Sequence, residues 1–430
     1  MTSTTTTTSN QLWSINWTCH DYDEIKWKRG QEPRKRRLRV VARFARSQWH
    51  ITIAFEGSLH SDRVARAKIE KRRQDLENLC LCLDFDHLQL LDDTVTELLI
   101  KREHDTTPPS HQNDIAVPNH ILPLKTTLRP DSEYYPVIAH LRLCVREDPF
   151  HVRFPPFDYS ANIPTKDLLE ISKTRQLSVG VHEARVTSND KQYVYKEVDI
   201  PLYIPRDSQV LDRELRNLQL FHGTKAIVQL VAAVVSQNPY QTSQPAEAYG
   251  TAEATETIKV KSQTVLRGIL LEYHPNGTLG DALQGAQDTL LSSKPNTAWP
   301  WRKWALQIAC ALAYLHEHGI THMDLKPSNV VISAEANAVL IDISGIGGIT
   351  QEWLAPEMHH VSDPLSESME SRIRNDIWAL GKLLSEMATV LCNNIEKKHL
   401  GRIALGATAE DPSSRTSIHD IISTLLLLSP

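Results

Sequence analysis

The chain has 430 residues, enough for two or three domains with buried cores. Its residues are 41% hydrophobic and 23% charged, the balance of an ordinary soluble globular protein. A formal net charge of −5 gives no overall attraction to nucleic acid or to an anionic membrane, so we expect neither as a partner.

The two ends and the cysteines carry no sign of export or metal binding. Residues 1–10 are rich in Thr and Ser, lack the apolar core of a signal peptide and are predicted to be a disordered tail. The apolar residues 418–428 are fewer than the ~20 that span a bilayer and predict a terminal core helix. Cys80 and Cys82 form a C-x-C pair without a second ligand pair nearby. We therefore expect reduced thiols, as in a protein of the cytoplasm or nucleus.

Residues 11–165 are predicted to form a separate α+β region of unknown function. Apolar and polar residues alternate over 38–55, which predicts a β-hairpin with one buried face. A helical stripe follows over 61–83, and the Pro- and Thr-rich residues 104–136 are predicted to be a linker. The basic run 34–37 is either the solvated start of an edge strand or a nuclear localisation or phosphate-binding patch.

From residue 166 the patterns are those of a strand-rich half followed by a helical half. Four segments have strand character: 177–186, 192–198, 227–235 and 265–273. A polar insert separates the last two of them. Three segments carry an apolar stripe at helical spacing: 211–222, 300–319 and 376–392.

The most informative segment is His322-Met323-Asp324-Leu325-Lys326-Pro327-Ser328-Asn329, which Asp342 follows thirteen residues later. It supplies two carboxylates, an ammonium and a carboxamide at a spacing suited to phosphoryl transfer. That reaction asks a protein mainly for positioning and charge neutralisation. The segment resembles the catalytic loop of the eukaryotic protein kinases, and Lys326 is typical of the Ser/Thr type.

The resemblance implies a role for each polar residue of this segment. Asp324 would accept the proton of the attacking hydroxyl, a contribution that is typically about 10²–10⁴-fold in rate. Lys326 would neutralise charge on the transferred group. Asn329 and Asp342 would supply oxygen ligands to Mg²⁺, a hard cation that prefers them.

Earlier segments agree with the same family in order and spacing. Lys196 stands where the family has the lysine that holds the ATP α- and β-phosphates, and Glu214 stands where a helix glutamate pairs with that lysine. Leu271, Glu272 and Tyr273 resemble the hinge whose backbone binds adenine. The resemblance therefore implies an ATP-binding site at these residues.

Later segments agree as well. Ala355-Pro356-Glu357 resembles the A-P-E sequence that closes the activation segment. Asp376 begins a sequence that resembles the D-x-W-x-x-G helix, whose aspartate braces the catalytic loop. Arg415 stands where a buried arginine pairs with the glutamate of A-P-E, which implies a structural ion pair with Glu357.

Several features depart from the family pattern. The phosphate-covering loop has one glycine, Gly180, in place of three, and Glu183 near a triphosphate is expected to repel it. Met323 replaces the arginine that grips a phosphorylated activation loop. Only twelve residues, three of them glycines, separate Asp342 from Ala355, and residues 393–399 are too few for a substrate-docking helix.

The resemblance covers residues 166–428 and implies an α+β, two-lobe protein kinase-like fold, with a small lobe at 166–273 and a large lobe at 274–430. It implies a Ser/Thr-type kinase that uses ATP and Mg²⁺ and acts on a protein substrate. The sequence specifies no oligomeric state. The departures leave a second hypothesis open, a pseudokinase that serves as a nucleotide-binding or scaffolding module. A small-molecule phosphotransferase of the aminoglycoside-kinase type shares H-x-D-x-x-x-x-N, but Lys326 and Ala355-Pro356-Glu357 favour the protein-kinase branch.

Overall fold

A computed structural model gives the fold of the chain. The described residues are 3–8, 11–22, 35–44, 47–57, 74, 77–91, 95–102, 120–127, 138, 141–148, 152–158, 162–200, 203–238, 264–291 and 299–427. The chain divides into two compact units. The first comprises Met1–Phe154, Val198–Pro205 and Ser236–Val265, and the second comprises Pro155–Glu197, Arg206–Val235 and Leu266–Pro430.

The first unit is built on a seven-stranded sheet in the order β1-β2-β3-β4-β5-β7-β6. Its strands are β1 (Ser3–Thr8), β2 (Gln11–Tyr22), β3 (Lys35–Phe44), β4 (Ser47–Glu56), β5 (Val95–Arg102), β6 (His120–Pro123) and β7 (Leu141–Glu147). The β3–β4 hairpin confirms the alternation predicted over 38–55, because its inward residues Leu38, Val40, Ile51 and Ile53 are buried. These side chains form the core of this unit with the aromatic rings that pack on Trp13.

Two expectations for the N-terminal region are corrected by the structure. Ser3–Thr8 is a strand that pairs with β2 over its whole length, where a disordered tail was expected. Within the predicted linker, His120–Pro123 is a strand that pairs with β7 at the edge of the sheet. Most of the predicted helix over 61–83 lies outside the described residues, and residues 77–81 are helical.

The basic run enters a strand directly. Lys35, Arg36 and Arg37 are the first three residues of β3, and Arg36 is 3% exposed with its guanidinium 4.8 Å from the centre of the Phe55 ring. The described part of the run is therefore strand. The reading of a solvated start of an edge strand is wrong in two respects, because β3 lies between β2 and β4 and Arg36 is buried. Five described cysteines are free thiols: Cys80, Cys82, Cys144, Cys310 and Cys392.

The second unit begins with a six-stranded sheet in the order β8-β12-β13-β11-β10-β9. Its strands are β8 (Thr165–Asp167), β9 (Ile171–Ser178), β10 (Val181–Val186), β11 (Asn189–Glu197), β12 (Leu230–Gln237) and β13 (Thr264–Glu272). The unit begins at Pro155, earlier than the boundary predicted at residue 166. One face of this sheet is packed by Ala184, Val186, Tyr193, Tyr195 and Leu270.

Six helices of ten or more residues and one small hairpin complete the described part of the second unit. The helices are α1 (Pro205–Leu220), α2 (Leu279–Leu291), α3 (Trp301–Glu317), α4 (Met369–Thr389), α5 (Asn394–Ala407) and α6 (Ile418–Leu427). The hairpin is β14 (Val330–Ile332) with β15 (Ala338–Leu340), and it lies between the catalytic-loop motif and Asp342. A strand-rich part followed by a helical part is the α+β order that the sequence predicted.

Two helix starts differ from the prediction. Helix α1 begins at Pro205, six residues before the segment predicted over 211–222. Helix α4 begins at Met369 instead of Asp376, because the Ser368 hydroxyl accepts the Ser371 N–H and caps the helix there. Residues 394–399, part of the stretch judged too short for a substrate-docking helix, form the start of the longer helix α5, which runs from Asn394 to Ala407. In the described part of the chain, no helix is both long enough and apolar enough to cross a membrane.

Candidate active site

Strand β11 and helix α1 bring Lys196 and Glu214 together. Lys196 lies near the end of β11, paired with Ile269 of β13, and its Nζ is 2.7 Å from Glu214 Oε2. Glu214 is fully buried, because Leu211, Leu215 and Leu218 on α1 face the core. A charged carboxylate at full burial needs a partner, and the ammonium of Lys196 supplies it.

Asp342 shares the ammonium of Lys196. It follows β15, and its Oδ1 contacts Lys196 Nζ. Partial burial alone would raise the pKa of Asp342, but the adjacent Lys196 ammonium lowers this pKa below its ordinary value. The same contact, with that of Glu214, raises the pKa of Lys196 against the effect of burial. Lys196 and Asp342 are therefore charged at neutral pH.

Asn217 was not identified from the sequence. It lies one turn after Glu214 on α1, is 6% exposed, and its Nδ2 donates to the carbonyl oxygen of Ile343 at 2.7 Å. A second contact at 3.3 Å reaches the Ser344 carbonyl. These bonds tie the helix that carries Glu214 to the segment that follows Asp342.

The loop residues Asp324, Lys326 and Asn329 form one hydrogen-bonded group. Lys326 Nζ lies 2.6 Å from Asp324 Oδ2, and Asn329 Nδ2 donates to the Asp324 carbonyl oxygen at 2.9 Å. Thr350 closes this group, since its N–H donates to Asp324 Oδ1 at 3.0 Å and its Oγ1 accepts from Lys326 at 2.7 Å. Sequence reasoning missed Thr350, because nothing in its local pattern marks it.

Asp376 on α4 binds the backbone of the catalytic loop. Its carboxylate accepts the N–H groups of His322 at 2.7 Å and Met323 at 2.8 Å. Met323 has a φ of +65°, which is unfavourable for a residue with a side chain, and Asp342 has a φ of +59°. Such strain persists only where surrounding contacts determine it, and here those contacts shape the group around Asp324. The predicted brace is confirmed.

The predicted pair between Glu357 and Arg415 is also present. Arg415 Nη1 and Nη2 reach the two oxygens of Glu357 at 2.6 and 2.8 Å, a bidentate geometry. Arg415 also donates to the carbonyl oxygens of Ala409 and Arg374. The end of the activation segment is thereby fixed to the helical part of the fold.

The phosphate-covering loop is reduced to a tight turn. Val179 and Gly180 connect β9 to β10, Ser178 pairs with Val181, and Gly180 takes the positive φ of +69° that this turn needs. Glu183 is not left to repel a ligand as the sequence suggested, because it forms an ion pair with Arg175 of β9. Arg175 lies eight residues away and was not part of the motif.

The three hinge residues lie at and just beyond the end of β13. Leu271 is 5% exposed, and the Glu272 carboxylate accepts the Gln229 N–H at 3.2 Å. The Glu272 N–H donates to the Gln229 carbonyl oxygen at 3.2 Å. The role of Leu271, Glu272 and Tyr273 in binding adenine stays a prediction.

The chemistry around Asn329 and Asp342 fits a magnesium ion. The Asn329 amide nitrogen is used on Asp324, which leaves the amide oxygen as a ligand, and the Asp342 side chain is 42% exposed. Magnesium is commonly held by one or two protein oxygens, with substrate phosphates and water completing its shell. Among the described residues there is no cluster of three or more His, Cys, Asp or Glu placed to hold a metal.

Comparison with known proteins agrees with this geometry. The family model described as protein kinase domain matches residues 178–404, more than half of the chain. The chain belongs to the protein kinase family. The match includes Lys196, Glu214 and the whole group around Asp324.

Individual relatives share this domain at modest identity. Mitogen-activated protein kinase kinase kinase 17 of Arabidopsis thaliana is 30% identical over 138 residues, 31% of this chain and 36% of that protein. Serine/threonine-protein kinase Nek4 of Mus musculus is 34% identical over 94 residues, 20% of this chain and 12% of that protein. The leucine-rich repeat receptor-like protein kinase TDR of Arabidopsis thaliana is 30% identical over 129 residues, 28% of this chain and 12% of that protein. The chain thus spans about a third or less of the length of these relatives.

Proposed function

We propose that this chain is a Ser/Thr-type protein kinase that transfers the γ-phosphate of Mg-ATP to a protein hydroxyl. One observation carries the proposal: the Lys196 ammonium lies between Glu214 and Asp342. In protein kinases the lysine–glutamate pair and the metal-binding aspartate must both be in place for phosphoryl transfer. The arrangement supports a catalytically ready site.

In the proposed reaction Asp324 accepts the proton of the attacking hydroxyl. Its Oδ1 receives the Thr350 N–H and its Oδ2 receives Lys326, so the carboxylate is held in one orientation. Lys326 would then neutralise charge on the transferred group. Lys196 would hold the α- and β-phosphates, while Glu214 keeps the lysine in position. A bound Mg²⁺, held by Asn329 and Asp342, would supply charge neutralisation on the phosphates.

A second candidate function is a pseudokinase that binds nucleotide or protein without turnover. The Val179–Gly180 turn favours it, because a two-residue turn leaves few backbone N–H groups to cover phosphates. The short segment between Asp342 and Ala355 favours it as well, since it offers little backbone to hold a protein substrate.

The transfer of radiolabel from [γ-³²P]ATP, in the presence of Mg²⁺, to the protein itself or to a generic Ser/Thr substrate separates the two candidates. We expect Asp324→Asn to abolish incorporation while a Mg-ADP-induced rise in melting temperature remains. Asp190→Asn, an exposed residue of β11, is the matched control and should behave as wild type. Label transfer that survives Asp324→Asn would contradict the proposed base. A wild type that binds nucleotide without transfer would favour the pseudokinase.

A further inference from the structure

Four side chains form a row across four neighbouring strands of the sheet in the second unit. The register pairs Arg175 with Glu183, Glu183 with Val194, and Val194 with Leu271. Directly paired residues project to the same face, and so do residues two apart along a strand. The row therefore shares its face with Lys196, which lies two residues beyond Val194 on β11.

The row has a charged half. Glu183 forms an ion pair with Arg175, and the Glu183 side chain is 9% exposed whereas that of Arg175 is 65% exposed. Tyr273, the residue that follows Glu272 at the end of β13, also helps to lower the pKa of Glu183. The Arg175 guanidinium, aided by Tyr273, lowers the pKa of Glu183, so this carboxylate is charged.

The position of this pair follows from the direction of the strands. Because β11 and β13 are antiparallel, moving from Lys196 to Val194 means moving from Ile269 to Leu271, toward Tyr273. Two residues of strand cover about 7 Å. If the proposed function is right and Lys196 holds phosphates, a base directed toward the hinge lies against the row that contains Glu183.

We propose that Arg175 and Glu183 form an ionic latch at the base end of the nucleotide site, and that this pair limits the affinity for ATP. A purine offers an apolar face to the sheet above it. A base buried against Glu183 either removes water from the carboxylate or separates the carboxylate from the Arg175 guanidinium. Both changes carry a free-energy cost. The base therefore binds only when the pair opens or is displaced.

The sheet itself offers a matched control. Lys173 of β9 and Glu197 of β11 also form an ion pair across strands, but on the opposite face. A register shift between Glu183 and Ala184 pairs Lys173 with Ala184, so that Lys173 does not share the face of Arg175. Lys173 lies 5.3 Å from the centre of the Tyr195 ring on that face. Removing the Lys173–Glu197 pair deletes one positive and one negative charge, as removing the Arg175–Glu183 pair does. It leaves the face of the sheet that carries Lys196 unchanged. An exchanged pair, Arg175→Glu with Glu183→Arg, keeps an ion pair in the row.

Dissociation constants for Mg-ATP and for magnesium tripolyphosphate, which has no base, test the latch. They are measured by calorimetry on wild type, Arg175→Thr/Glu183→Val, the exchanged pair, and Lys173→Thr/Glu197→Gln. We expect the first double variant to bind Mg-ATP at least about tenfold more tightly than wild type, or about 1.4 kcal/mol. The exchanged pair and the opposite-face variant should bind as wild type, and the affinity for tripolyphosphate should be equal in all four proteins.

Each other outcome overturns the latch. Equal Mg-ATP affinity in wild type and Arg175→Thr/Glu183→Val refutes it while the proposed nucleotide site stands. A gain that also appears with tripolyphosphate, or in the opposite-face variant, shows a general charge effect and refutes the placement at the base. If no protein of the set binds either ligand, the proposed nucleotide site fails and the latch fails with it.

Discussion

Asn217 Nδ2 lies 2.7 Å from the carbonyl oxygen of Ile343, so one buried amide joins the helix of Glu214 to the segment of Asp342. The bond lies within a turn of the Lys196–Glu214 pair and beside the third member of that charged group. Positioning of Lys196, Glu214 and Asp342 thus depends on a side chain that touches none of their charges.

We expect Asn217→Leu to weaken both the fold and nucleotide binding. The substitution leaves two carbonyl oxygens without their donor, which costs about 1–3 kcal/mol in unfolding free energy. It also frees α1 from the segment of Asp342, so KM for ATP should rise several-fold at 20 °C, where the variant is folded. Arg216→Ala on the same helix removes only an exposed ion pair and should leave KM unchanged. An unchanged KM in Asn217→Leu would mean that the amide only stabilises the fold.

Thr350 is expected to affect the chemical step. Thr350→Val removes the hydroxyl that accepts from Lys326 but keeps the backbone N–H that donates to Asp324. We predict a fall in kcat of about tenfold, with KM for ATP unchanged, because the lost contact orients the catalytic group and not the nucleotide. Thr350→Ser retains the hydroxyl and should restore kcat. Equal rates in Thr350→Val and wild type would remove Thr350 from the mechanism.

The Glu357–Arg415 pair should respond unequally to loss of either partner. The Arg415 side chain is fully buried, whereas that of Glu357 is 33% exposed. Glu357→Leu strands a buried cation and should cost about 3–5 kcal/mol of unfolding free energy. Arg415→Met leaves a carboxylate that can reach water and should cost less. Urea unfolding of both single variants and the double variant measures the coupling, and purely additive losses would contradict a stabilising pair.

This pair also gives a pH dependence. Burial would raise the pKa of Glu357, but the hydrogen-bonded Arg415 lowers the pKa below its ordinary value. A carboxyl group whose pKa is lower in the folded than in the unfolded state stabilises the protein above its unfolded pKa of about 4.3. That stabilisation is lost as pH falls through the lower, folded value. The difference in urea midpoint between wild type and Glu357→Leu/Arg415→Met should therefore be constant from about pH 7 to 5 and shrink below about 4.3. A difference that grows on acidification would show the opposite sign.

The pairs that sequence reasoning found are those carried by local motifs. Glu357 and Arg415 each lie in a recognisable segment, and their pairing followed from the order of those segments. Asn217 and Thr350 could not be found in this way, since each acts through tertiary hydrogen bonds to groups far along the chain. The partner of Glu183 depended on the register of the β9–β10 hairpin, in which an irregularity between Val181 and His182 shifts the pairing by one residue from the register that the Val179–Gly180 turn begins.

Helix ends were missed for a similar reason. The D-x-W motif marks the middle of α4, but the start of this helix is decided by the hydroxyl of Ser368, eight residues before Asp376, where the motif begins. In the first unit, the strand at His120–Pro123 gains its stability from pairing with β7, a contact that local composition does not encode.

Thermal melting with increasing Mg-ATP tests the central claim most directly: that Lys196 and Asp342 hold the nucleotide in one site. At a hundred times its Kd, the ligand should stabilise wild type by about 2.7 kcal/mol, seen as a rise in Tm. Lys196→Ala and Asp342→Asn should each lose most of that rise, while the exposed Asp190→Asn keeps it. A full rise in both Lys196→Ala and Asp342→Asn would place the nucleotide elsewhere and contradict the proposed site.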